Sequence, residues 1–338
     1  MWQKSCDVWF VTTLLAADNM KEITQAIREK AKLLLEENKV KGVLGFTPGT
    51  LPMARRPILA TTLEQAERLC WDEFCLMNLA NFIPPRGQER IAVVAKGCDW
   101  RNLIVHDLEG RIDLENEIEV LGISCKGMLD TEKINQSANG AERVVGVICN
   151  GDEVQIKLVD GKELILEKDR LIRQACRECR QPTPDSSIIL NNSINDSDKQ
   201  KSIVSEHAFD SSDFLKNIDL LQSTFKECLM CFACRDACPL CYCDSCFVDT
   251  EKSHWLSHSS TLEGLLDFHF LRAHHIAGRC TSCGTCESAC PMNIPVRELV
   301  KKLNHDVEET TGYIPGITKD MKPPKSIFKP SYHEHKNR

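Results

Sequence analysis

The chain has 338 residues and a formal net charge of −7, with a pI near 5.9, which leaves no basic field for nucleic acid. No run approaches the roughly 18 apolar residues that a membrane helix needs, and the length suits about two domains. Nineteen cysteines, grouped at cofactor-ligand spacings in a chain of this size, point to a reducing, cytoplasmic setting rather than to a disulfide framework.

The apolar stretch Val8 to Ala17 reads as a buried strand, because its flank holds one lysine and no small-residue cleavage site. Asn19, with Glu22 three residues on, caps a helix whose face is Ile23, Ile27 and Leu34. A short strand follows at Val40 to Phe46. Thr61 and Glu64 form a second capping box, which predicts a helix through Ala80 burying Leu63, Ala66, Cys70, Phe74 and Met77. Ile91 to Ala95 is a strand running into Lys96, Gly97, Cys98 and Asp99. Ile118 to Ile123 is another, running into Cys125. Two strands thus deliver cysteines from their carboxyl ends, where α/β sheets place ligands.

From Arg143 the pattern becomes a meander. Arg143 to Cys149, Val154 to Val159 and Glu163 to Leu166 are separated by Asn150-Gly151 and Asp160-Gly161, which are hairpin signals. The last strand leads to the pair Cys176 and Cys179. Residues 182–212, rich in Ser, Asn, Asp and Lys, read as a flexible linker between an α/β domain at 1–181 and a second domain at 213–310. In the second domain a helix is expected over Leu262 to Ile276, and another opens at Pro295 and runs to about Asn304. The tail, 311–338, reads from Tyr313 as a flexible or docking arm.

The second domain carries one cysteine ladder twice: Cys228, Cys231, Cys234 and Cys238, then Cys280, Cys283, Cys286 and Cys290. Each has the form C-x2-C-x2-C-x3-C-P, the spacing that holds 4Fe-4S clusters in bacterial-type ferredoxins, with the fourth cysteine crossing to the other cluster. Three thiolates on a tight loop reach three corners of one cubane, while a cysteine after a longer gap points away. The expected sets are therefore Cys228, Cys231, Cys234 with Cys290, and Cys280, Cys283, Cys286 with Cys238. The rival readings are zinc, usually held by two separated C-x2-C pairs, or disulfides. An offset of 52 residues, from Cys228 to Cys280, exceeds what a compact βαβ ferredoxin allows. The expected fold is an α/β N-terminal domain with a β meander, followed by a mainly α-helical dicluster ferredoxin domain.

Cys98, Cys125, Cys176 and Cys179 number what a third cubane needs; the rival is unrelated thiols packed as small hydrophobes. The segments Ile91 to Asp99, Leu121 to Cys125 and Ala175 to Cys179 resemble, in order and context, the β subunits of coenzyme-reducing (deazaflavin) hydrogenases and formate dehydrogenases, over about residues 1–180. The resemblance implies that these four cysteines hold a 4Fe-4S cluster beside a flavin that passes hydride to the deazaflavin. That family encloses its flavin with chain following the paired cysteines, whereas here a linker is read from Pro182, so FAD stands as an alternative. The C-terminal half resembles the helical ferredoxin domains of heterodisulfide-reductase small subunits and succinate-dehydrogenase iron-sulfur subunits.

Cys241, Cys243 and Cys246 read either as a further metal site, completed by Cys75 or a histidine, or as structural thiols. Cys6, Cys70, Cys75 and Cys149 read as core. His254, His258, His269, His274 and His275 read as polar-face or hydrogen-bonding residues, and Asp99 as a cluster-tuning group or a turn cap. No nucleophile–base pair is evident. The function expected is that of an iron-sulfur electron-transfer subunit in an anaerobic formate dehydrogenase or hydrogenase-type complex, between a catalytic subunit and an acceptor module in a hetero-oligomer. The alternatives are a flavin-dependent β subunit exchanging hydride with a deazaflavin or nicotinamide coenzyme, and a non-redox zinc scaffold.

Overall fold

Ile91–Ala95 is apolar at every position, and only a strand covered on both faces buries all of it. In the computed structural model, which describes residues 20–138, 144–191, 214–246, 248, 261–317 and 319–324, that run is the middle of a five-stranded sheet. The chain enters with α1 (Met20–Glu36), whose buried face is Ile23, Ala26, Ile27, Ala31 and Leu34. The hairpin β1 (Val43–Pro48) and β2 (Arg55–Ala60) follows, then the short α2 (Leu63–Glu67). Next come β3 (Ile91–Ala95), α3 (Gly97–Leu108), the single turn α4 (Leu114–Glu117) and β4 (Ile118–Gly122). β1, β3 and β4 are parallel, so their carboxyl ends share one edge.

The helix expected through Ala80 stops at Glu67, with Leu63 exposed rather than buried. Beyond it the backbone bonds elsewhere. The Cys70 amide donates to the Phe46 carbonyl at 2.8 Å, the Trp71 amide donates to Thr24 Oγ1 at 3.0 Å, and Asp72 Oδ1 accepts from the Phe74 amide. Bonds to β1 and α1 replace the helical ladder, which a local pattern does not reveal.

After α5 (Thr131–Ser137) the meander forms as β5 (Val144–Asn150), β6 (Glu153–Leu158) and β7 (Glu163–Glu167), an antiparallel sheet of its own with positive φ at both turn glycines, Gly151 and Gly161. Two single turns, α6 (Lys168–Leu171) and α7 (Gln174–Arg177), then carry the chain back to the edge of the first sheet.

Residues 182–191, read as the start of a linker, instead close that sheet. The Pro182 carbonyl accepts from the Cys125 amide at 3.1 Å, and β8 (Ile188–Ile189) pairs in parallel with β4. Two apolar residues suffice for an edge strand whose partner already exists, whereas the Ser- and Asn-rich composition around them masked it. The rest of the linker, the strand read at Val8 to Ala17, the cap Asn19, and Cys6, His254 and His258 lie outside the described residues.

The C-terminal half is helical: α8 (Phe214–Phe225), α9 (Ala233–Asp236), α10 (Leu262–Ile276), α11 (Thr285–Ser288) and α12 (Val296–Thr311). Thr261 caps α10 and Pro295 precedes α12, which runs past Asn304 until Gly312 takes a left-handed φ of 71°. The described part of the tail is packed rather than free. Tyr313 is buried, and the Arg101 guanidinium of α3 donates twice to the Pro315 carbonyl. Among the described residues no helix is long and apolar enough to cross a membrane.

Candidate metal centre

Both ladders fold with one local geometry. The residues two and four places after the first cysteine are left-handed in each copy: Met230 and Phe232 at φ 54° and 58°, Ser282 and Gly284 at 58° and 73°. Left-handed φ costs a side-chain-bearing residue about 1 kcal/mol or more, so its recurrence at matched positions marks a loop shaped for something. What it shapes is the amide direction. The Met230 and Ser282 amides donate to Cys228 Sγ and Cys280 Sγ, each at 3.4 Å, and the Ile294 amide donates to Cys290 Sγ at 3.4 Å. Amide donors aimed at sulfur favour the thiolate, the form in which cysteine binds iron.

Cys290 lies among the first-ladder cysteines and Cys238 among those of the second. Burial pushes the Cys228 thiol up, and Cys290 and Cys231 add to it; Cys234 is raised by burial and has Cys228, Cys290 and Cys231 around it. In the other set, burial with Cys238 and Cys283 pushes Cys280 up to about 12, and Cys286 is raised by burial with Cys238 and Cys280 among its neighbours. The thiols so raised ionise poorly on their own; a bound metal deprotonates them outright. The donor set, the amides and the matched loops fit a thiolate-ligated cubane.

The N-terminal four converge too. Cys98 opens α3 just beyond β3, Cys125 lies beyond β4, and Cys176 and Cys179 come from α7 and the residues after it. All four line one cavity with Lys96, Arg101 and Arg173. Burial and then Cys176 hold Cys125 up at about 12, and the Met128 amide donates to Cys176 Sγ at 3.4 Å. Gly97 is required beside Cys98, since a Cβ there lies 1.7 Å from the Gln181 carbonyl oxygen of the returning chain. Lys96 is 2% exposed; its ammonium sits 3.0 Å from Asp99 Oδ2 and donates to the Cys75 and Met77 carbonyls. Asp99 therefore serves as a cap and counter-ion, accepting also from the Lys96 and Leu79 amides.

Cys283 lines the same cavity as the N-terminal four, and Cys98 has both Cys283 and Cys179 among its charged neighbours. The N-terminal set and the second ladder therefore abut. Gly284 packs against Ala175 and Arg173, with its carbonyl accepting from Arg173, and Arg101 Nη1 donates to the Thr281 carbonyl at 3.0 Å.

A profile of the 4Fe-4S binding domain family matches residues 273–296, which contain the whole second ladder. The chain is 36% identical over 99 residues to the F420-dependent formate dehydrogenase subunit beta of Methanocaldococcus jannaschii, a stretch covering 29% of this chain and 26% of that relative. With the F420-dependent formate dehydrogenase 1 subunit beta of Methanococcus maripaludis it shares 22% identity over 88% of this chain and 92% of the relative. The chain is similar to the beta subunits of F420-dependent formate dehydrogenases. Among solved structures, a chain from the F420-reducing NiFe hydrogenase complex of Methanosarcina barkeri aligns at TM-score 0.35 and 16% identity, over 49% of this chain and 65% of that one. The second ladder is an iron–sulfur segment, as its spacing implies.

The remaining cysteines divide as follows. Cys70, Cys75 and Cys149 pack with the N-terminal cores. Cys75 lies there beside Asp72 and Lys96, while Cys241 lies beside Cys238 and Arg272 and Cys243 is exposed. Among the described residues no three Cys, His, Asp or Glu side chains form a cage for a single metal ion. His274 and His275 are exposed on α10. His269 is not a surface residue: it is 4% exposed, stacked on Phe225, with Nε2 3.3 Å from Cys228 Sγ. The sequence reading missed that contact, and it missed Arg101 and Arg272. The available signal was a heptad-like one, since His269 and Arg272 are three residues apart and share a face of α10.

Proposed function

We propose that the chain is an iron–sulfur electron-transfer subunit of a formate dehydrogenase or hydrogenase-type complex, in which three 4Fe-4S clusters form a line. The observation that carries this is Cys283, a second-ladder cysteine that lines the cavity of the N-terminal four. The order runs from the N-terminal set to the second ladder and, through the crossed Cys238 and Cys290, to the first. A cubane supplies one-electron storage; the protein's part is to hold the thiolates, exclude water and set the local charge. Cys231 is the exposed cysteine of the first ladder, with Leu229 two residues before it 63% exposed, so a partner meets the line there. Replacing Cys283 by Ser is expected to remove about four irons per chain, stop electron flow and leave the N-terminal domain folded. Full turnover in that variant contradicts the reading.

A second reading is supported by a cavity of about 830 Å³, within the range of cofactor pockets. Met53, Phe74, Leu76 and Met77 line it on one side and Thr285 and Ala289 on the other, and Leu76 also borders the N-terminal cysteine cavity. These residues would hold a flavin, which would supply hydride exchange with a deazaflavin coenzyme and one-electron exchange with the clusters. One flavin released per chain on denaturation puts this reading first.

A further inference from the structure

Two arginines are buried where the cysteine sets meet. Arg101, 5% exposed on α3, lines the N-terminal cysteine cavity together with Cys283. Its side chain donates only to carbonyls, those of Thr281 and Pro315, and has Cys98 and Cys179 on one side and Cys280 on the other. Arg272, 5% exposed on α10, donates from Nη2 to the Cys234 carbonyl at 2.9 Å, while its Nε has no hydrogen-bond partner. Its charged neighbours are Cys238 and Cys286 of the second-ladder set, Cys234 of the first, and Cys241. A buried guanidinium is expensive unless anions compensate it. Among the described residues neither arginine pairs with a carboxylate, so the thiolate sets are the anions.

We propose that Arg101 and Arg272 are shared counter-charges, each set between two neighbouring clusters and holding the potentials of both up, while His269 tunes one cluster alone through Cys228. This rests on the three-cluster reading. Each reduction moves one electron from the reductant onto a cluster, breaks no bond and adds one negative charge. A fixed cation between two clusters favours that charge on either, and an imidazole N–H donated to a ligand sulfur favours it on one.

The test is a mediated dithionite titration of the full chain, followed by EPR, beside iron content. Arg272→Met is expected to lower two of the three midpoints, each by about tenfold in its reduction equilibrium, which is about 59 mV for one electron. Arg101→Met lowers two also, and one midpoint, that of the second-ladder cluster, moves in both variants. His269→Leu lowers only the midpoint that Arg272→Met moves and Arg101→Met does not. Arg272→Lys and Arg101→Lys, which keep the charge, restore the midpoints. Fully loaded Met variants with unmoved midpoints, or with a single midpoint moved, overturn the proposal. If a Met variant fails to load iron, its Lys counterpart decides: loaded with wild-type midpoints it supports the charge role, and unloaded or shifted it overturns it. Wild-type protein lacking about twelve irons sinks the three-cluster reading itself, a result distinct from any of these.

Discussion

At the residue scale, the buried polar groups are concentrated where the two halves touch. His106 of α3 is 1% exposed. Its Nε2–H donates to the carbonyl of Pro239, the proline after the first ladder, at 2.8 Å, and its Nδ1 has no partner. Burial lowers its pKa to about 4, and Arg111 and Arg279 push in the same direction. A histidine whose folded pKa lies below its unfolded value near 6.5 stabilises the fold fully above that value and loses the contribution as pH falls toward 4. The difference is worth up to about 3 kcal/mol. Wild-type protein is therefore expected to lose stability between pH 6.5 and 5 relative to His106→Gln, which keeps a donor to Pro239 and does not titrate. Parallel anaerobic melting curves with the same pH slope contradict this. Gly97, Asp99 and Lys96 belong to the same scale. The sequence places them beside Cys98, but their roles follow from where Gln181, Leu79 and Cys75 return in space, which no local pattern reports.

At the element scale, legibility followed locality. The two ladders, α10 and the meander were readable because ligand spacing, capping and Asn-Gly or Asp-Gly turns are all set within a few residues. The end of α2 and the existence of β8 were not, because each depends on pairing with a strand far away in the chain, β1 in one case and β4 in the other. The docking of α12 on the N-terminal pair is likewise a tertiary feature. Arg297, 1% exposed, reaches Glu178 between Cys176 and Cys179 at 2.6 Å and Glu287 at 3.1 Å, and Lys301 reaches Glu178 at 3.0 Å. Although burial works against its charge, Glu178 is held down near 2 by Arg297, Gln174 and Lys301. Removing Glu178 takes the shortest of its ion pairs from Arg297 and leaves it Glu287 and Glu298, at a cost of about 2 kcal/mol. Glu178→Ala is expected to lower denaturant stability by about that much and to loosen α12 toward protease; a change under about 1 kcal/mol contradicts the pairing as a clamp.

At the scale of the whole molecule, the halves are joined through their thiol sites. Gly284 of the second ladder leans on Ala175 beside Cys176, Asn102 Nδ2 donates to Thr281 Oγ1 at 2.9 Å, and Glu109 pairs with Arg279 next to Cys280. On the proposed reading, three sets in contact with a buried arginine at each junction form a conduit whose charge is set from within. The cysteines were legible in the sequence; which of them lie near one another, and the arginines beside them, came only from the fold. The three-cluster line is decided by iron and acid-labile sulfide per chain in anaerobically purified protein. The account predicts about twelve of each, four per cubane. About eight of each removes the N-terminal cluster and contradicts the account, as does stoichiometric zinc in place of iron.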